Sequence, residues 1–166
     1  MKQAQTVYKI LIAGEGGQGV QSLAYILTQA LFKAGLEVSF VPNYGLEQRG
    51  GMSLAYIQVS NKKIVYPRFN RPDLLILMAE SARPRVAKLI SQTQQVLETE
   101  PHKELLKENK LPAHTYNMLT LGILAKILAD KKIIKTEEIR NEIKSKLGKK
   151  LGLEDNLKAF EVGTGF

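Results

Sequence analysis

Ile10-Leu11-Ile12-Ala13-Gly14-Glu15-Gly16-Gly17-Gln18-Gly19-Val20 is the stretch whose reading decides the fold. Its apolar start, Ile10 to Ala13, is too short for a helix and is closed by glycine, the pattern of a strand buried on both faces in a parallel sheet. Gly14, Gly16 and Gly19 then stand in G-x-G-x-x-G spacing. Beyond them Val20, Leu23, Ala24, Leu27, Ala30, Leu31 and Ala34 recur at the three-and-four interval of a helix laid on that sheet. The unit is strand, glycine turn, helix. Glycine permits φ > 0 and close approach, and the free N–H groups of a helix start attract an anion. The turn therefore reads in two ways: Gly14, Gly16, Gly17, Gln18 and Gly19 cradle a phosphate, or the glycines only let strand and helix pack closely.

The next strand narrows the ligand. A dinucleotide of the NAD type calls for an acidic residue at the end of the second strand, where it holds the ribose hydroxyls. Here that strand, Val38 to Asn43, ends in Pro42-Asn43, and Glu37 precedes it. NAD is disfavoured. The following loop, Tyr44-Gly45-Leu46-Glu47-Gln48-Arg49-Gly50-Gly51, belongs on the same sheet edge as the glycine turn, because loops after parallel strand ends share the crevice. Arg49 can grip a phosphate or carboxylate bidentately; Glu47 beside it can pair with it instead.

Met52 to Ser60 is rich in strand formers, and a turn at Ser60-Asn61-Lys62 followed by Lys63 to Tyr66 predicts an antiparallel hairpin and hence a mixed sheet. Asp73 to Ala79 reads as a second central parallel strand, Glu80-Ser81-Ala82 opens a helix with Pro84 in its first turn, and Gln95 to Glu98 is a short strand. Thr99 to Thr115 carries no clear period apart from a helical turn at Leu105-Leu106. A helix capped by Asn117 follows, then one capped by Thr136 and stopped by Gly148. The last segment docks Leu153, Leu157, Ala159 and Phe160 and leaves Gly163 to Phe166 loose.

Composition sets outer bounds. With 166 residues, 44% hydrophobic and 24% charged, the chain suits one globular domain spanning 1–166. No apolar run is long enough to cross a bilayer, and no leader pattern opens the chain, so the expected location is cytoplasmic. There is no cysteine, so the chain supplies no thiolate to an iron–sulfur cluster; two histidines make a zinc site improbable. The net charge of +8 includes lysines clustered from Lys131 to Lys150, with little aromatic interleaving, the pattern of a solvated face or one opposite an acidic partner rather than of nucleic-acid binding.

The glycine turn, Tyr44 to Gly51, Pro72-Asp73, Asn117-Met118 with Leu121-Gly122, and Asn156 to Phe160 with Gly163 together resemble the gamma subunit of the 2-oxoacid:ferredoxin oxidoreductases. The resemblance implies a three-layer α/β/α, Rossmann-like fold with a mixed sheet. It also implies a complex that converts a 2-oxoacid to acyl-CoA and CO2 and reduces ferredoxin, with alpha, beta and delta subunits as partners. Thiamine diphosphate, Mg2+ and [4Fe-4S] clusters would sit on those subunits, and this chain would hold no cofactor alone. Gly14, Gly16, Gly17, Gln18, Gly19, Tyr44, Glu47, Arg49, Gly50 and Gly51 are then candidates for coenzyme A or the mouth of the active site, with no catalytic residue and no metal ligand among them. Two other roles stand beside this one: a stand-alone nucleotide-binding protein, and a purely structural assembly subunit. The resemblance weakens between Thr99 and Thr115, where similar members carry a longer strand-and-loop segment.

Overall fold

The computed structural model describes residues 7–44, 51–148 and 150–166, with Tyr44 known by its backbone alone. Among the described residues five strands form one sheet in the order β2-β3-β1-β4-β5: β1 (Tyr8–Glu15), β2 (Glu37–Tyr44), β3 (Met52–Ser60), β4 (Leu74–Leu77) and β5 (Gln95–Glu98). β1, β4 and β5 run parallel, with Ile12 opposite Ile76 and Ile76 opposite Leu97. β3 runs against both of its neighbours, Ile12 lying opposite Ala55 and Phe40 opposite Ile57. The sheet is mixed and open.

The antiparallel pairing is real, but its partner differs from the sequence expectation. Lys63 to Tyr66 forms no strand; the Nε2 of Gln58 instead donates to the carbonyl of Tyr66 at 2.6 Å, holding that segment against the sheet as a loop. The reason is geometric: β1 and β2 occupy both edges of β3, leaving no ladder for a third strand.

Side chains alternate between two faces, as strand geometry requires. Ile10, Ile12, Ile57, Leu74 and Ile76 join a large core with α1 (Val20–Lys33), α3 (Lys103–Glu108), α4 (Tyr116–Asp130), α5 (Thr136–Leu147) and α6 (Leu153–Thr164). Leu11, Ala13, Leu54, Leu75 and Leu77 face the other way, onto Phe69, Ala82 and Val86, the last from α2 (Arg83–Ile90). One helical layer is thick and the other thin. Ile10 to Ala13 have no exposed area at all, which explains why the run is apolar without alternation.

α4 is buried on nearly all sides from Tyr116 to Ala125 because α6, α1, α5 and α3 pack around it. The residue before it is Thr115, so Asn117 stands inside the helix and is not its cap. Similarly, Lys135 is the N-cap of α5: its N–H is accepted by the Glu138 carboxylate at 3.0 Å, and Thr136 is the first helical residue. Gly148 does end that helix, at φ 53°. The chain end is not loose as expected. α6 continues to Thr164 because Gly163 packs on Gly122 of α4, where a Cβ on Gly163 would stand 2.2 Å from the Leu119 carbonyl oxygen. No described helix is long and apolar enough to cross a membrane.

Candidate functional site

β1 and β2 both run against β3 and so end at the same edge, which places the glycine turn beside the start of β3. One hydrogen bond makes the contact explicit: the Gly16 N–H donates to the Gly51 carbonyl at 2.7 Å. Gly17, at φ 91°, is exposed, and Gly19, at φ 77°, is the N-cap of α1, with no side chain capping the helix start. Both φ values lie where an L side chain is strained, so glycine is required by the turn itself.

Gln18 folds back over the turn. Its Oε1 accepts the Glu15 N–H at 2.9 Å, and its own N–H donates to the Glu15 carbonyl at 3.2 Å. Gly14 lies beneath that amide, where a Cβ would stand 2.7 Å from Gln18 Oε1. The donors expected from sequence thus divide. The N–H groups of Gly16 and Gln18 are committed within the protein, while those of Gly17 and Gly19 make no backbone hydrogen bond among the described residues and sit at the uncapped start of α1. An anion here would meet the helix dipole and these N–H groups.

Two residues beyond the turn complete it. Asn117 lays its amide against Gly19, its Nδ2 2.5 Å from where a Cβ would stand. Its place in the sequence suggests a helix cap; the pairing of an amide residue with a distant glycine is visible only in the fold. Gln21, in the first turn of α1, donates through Nε2 to Ser53 Oγ and to the Leu54 carbonyl, both at 2.9 Å, fixing the helix start to β3. At the rim the Ser81 hydroxyl donates to the Glu15 carboxylate. Tyr44 ends β2 opposite Ser53, while Gly45, Glu47, Arg49 and Gly50 lie outside the described residues.

A cleft of about 780 Å³ opens next to Gly17 and Gln18. Leu106, Leu111 and Tyr116 give it apolar lining, and Lys103 and Lys107 line it together with Glu100 and Glu104, the acids they pair with at 3.2 and 2.8 Å. The Tyr116 hydroxyl donates to the Met78 carbonyl at 2.9 Å and lies 2.8 Å from Thr99 Oγ1. Burial is the main reason its pKa is pushed up to about 12. Lys103 Nζ sits 4.7 Å from the centre of the Tyr116 ring and 3.2 Å from Glu100 Oε1. Glu100 also accepts the Glu80 N–H at 2.8 Å, and that bond above all holds its carboxyl below the usual carboxylate range. Among the described residues no group of three or more histidine, cysteine or acidic side chains is placed to hold a metal. What this edge offers is binding: N–H groups and an amide beside an apolar cleft edged by paired lysines and glutamates.

Fold and edge together define an open α/β/α arrangement in which the glycine turn meets Gly51 where β1 ends. Comparison with known proteins gives it a place: residues 9–166 match the pyruvate ferredoxin/flavodoxin oxidoreductase family, and the chain belongs to that family as a gamma-type subunit. It is 31% identical to the 2-oxoglutarate synthase subunit KorC of Archaeoglobus fulgidus, over 93% of this chain and 84% of that one. It is also 31% identical to the common gamma subunit of the pyruvate/ketoisovalerate oxidoreductases of Pyrococcus furiosus, over 88% of this chain and 89% of that one. The fold is shared with a solved 2-oxoglutarate:ferredoxin oxidoreductase from Magnetococcus marinus at TM-score 0.83 and 23% identity, covering 98% of this chain and 31% of that one. It is shared too with a keto/oxoacid ferredoxin oxidoreductase gamma subunit from Geobacter sulfurreducens at TM-score 0.72, 20% identity and over 95% of each chain or more.

Proposed function

We propose that the chain, acting as one domain over residues 1–166, works in a cytoplasmic complex that oxidatively decarboxylates a 2-oxoacid to an acyl-CoA and CO2 and passes the electrons to ferredoxin. Within it, Gly17, Gly19, the start of α1 and Arg49 hold a phosphate of coenzyme A at the mouth of the active site. The observation that carries this reading is the pair of positive-φ glycines at the uncapped start of α1, joined to the second loop by the bond from Gly16 to Gly51. The uncapped N–H groups suit a phosphate, and Arg49 precedes Gly51 by two residues. Gln18 keeps the turn closed over Gly14, and Asn117 and Gln21 fix it to α4 and β3. Alpha, beta and delta subunits would carry thiamine diphosphate, Mg2+ and [4Fe-4S] clusters; thiamine diphosphate, when bound, supplies the electron sink for decarboxylation.

The assembled complex carrying Arg49→Ala tests the coenzyme A contact. Loss of a charge-assisted hydrogen bond of about 1.5 kcal/mol or more predicts a rise in the KM for coenzyme A of about tenfold, with assembly intact. An unchanged KM removes Arg49 from the site.

A further inference from the structure

The edge of the sheet opposite the glycine turn carries a second feature that the site does not use. The loop from Asn61 to Pro72 leaves Val65 and Tyr66 70% and 78% exposed, although both are large and apolar and adjacent in sequence. The loop is anchored. Gln58, itself buried, donates to the Tyr66 carbonyl at 2.6 Å, and Phe69 packs edge-on against Tyr56 with ring centres 5.3 Å apart. Val65 and Tyr66 line an open groove with Lys9, Arg68, Phe69 and Arg71. Among the described residues its lining holds no carboxylate; the neighbouring Asp73 accepts the Lys9 backbone N–H at 2.7 Å.

We propose that this groove is a docking surface for another subunit of the same complex, through a patch on that subunit that is apolar at its centre and acidic at its rim. This rests on the reading of the chain as a gamma subunit. An anchored loop presenting an aromatic and an aliphatic side chain in a groove shared with Lys9, Arg68 and Arg71 has the composition of an interface centre and rim. Charge selects the occupant. A second copy meeting the same groove about a two-fold axis would bring together two patches that each carry Lys9, Arg68 and Arg71, like charge against like, whereas an acidic rim would pair with them.

The test is co-expression of the chain with its partner subunits and measurement of assembly by sedimentation and native mass. The variants are Val65→Ser with Tyr66→Ser, and Arg68→Glu with Arg71→Glu. Their isolated chains should keep the wild-type circular dichroism and melting temperature, because the altered side chains are exposed. Each pair should weaken the complex at least tenfold, and raised salt should weaken the wild-type complex more than the arginine variant. Equal assembly of wild type and both variants overturns this inference and leaves the subunit reading standing. A wild-type chain that joins no partner overturns the subunit reading and this inference with it. Wild-type self-association, or retention of nucleic acid, that both variants abolish would assign the groove to a different occupant and overturn the proposal.

Discussion

The amide of Asn117 fills the space a side chain on Gly19 would need, its Nδ2 2.5 Å from where that Cβ would stand. The start of α1 is thereby locked to the first turn of α4, and the shape of the glycine turn depends on a residue 98 positions away. Gly19→Ala meets two penalties at once, a φ of 77° and the amide. It should lower stability by about 2 kcal/mol, the sum of backbone strain and modest overpacking. Adding Asn117→Ala should recover only the packing part; a double-mutant cycle in urea reads the coupling, which an additive pair would disprove.

The contact of Gly122 with Gly163 is closer still. A Cβ on Gly122 would stand 2.1 Å from the Phe160 carbonyl oxygen and 2.9 Å from the Gly163 Cα. These are backbone atoms that cannot rotate away, so α4 and α6 must separate to admit a methyl group. Gly122→Ala should cost about 3 kcal/mol or more. Thermal unfolding of Gly122→Ala beside the exposed control Gly35→Ala, which meets nothing but has φ 84°, separates clash from strain.

Tyr116 ties α4 to β4 through the Met78 carbonyl and to Thr99. Tyr116→Phe leaves buried polar partners short of a bond and should cost about 1–3 kcal/mol. The same residue sets an alkaline limit. Its folded pKa is about 12 against 10.0 for the free side chain, and Tyr8 is raised to about 12 as well, mainly by burial. Between those values the unfolded chain loses protons that the folded chain keeps, so stability is fully present below pH 10 and falls as pH rises toward 12. Unfolding at pH 8, 10 and 11.5 should show this decline, and Tyr116→Phe should decline less steeply.

On the far side of α1, the Lys33 ammonium meets Glu142 of α5 at 2.5 Å, with the carboxylate side chain 9% exposed and the lysine 57% exposed. Glu142→Ala removes a buried acceptor and should cost about 1 kcal/mol; Lys33→Ala strands the carboxylate and should cost more. Chemical denaturation of the two single variants gives the order directly.

Much of this is legible in the amino-acid sequence. β1, the turn and α1 follow from an apolar run, glycine spacing and a helical period, and the nearness of Gly51 to the turn follows from parallel strands sharing a loop edge. Lys63 to Tyr66 misled because strand-forming composition says nothing about whether an edge is free, and β3 had both edges taken. The role of Asn117 was invisible because it depends on a tertiary contact with Gly19. The glycines of α6 looked like a loose end because a packing demand for small residues and a turn have the same spelling. Arg49, the residue most suited to an anion, is named by its chemistry and its place in the sequence alone.

The unequal covering of the two sheet faces matters for how the chain is made. When the first hundred residues have left the ribosome, every strand exists, but the face bearing Ile10, Ile12, Ile57 and Ile76 has only α1 to lie against it. The remaining cover, α3 to α6, arrives last. Until it does, the nascent chain shows a wide greasy sheet to its surroundings, so synthesis passes through a stage that favours binding by a holding chaperone and punishes any stop codon before α6.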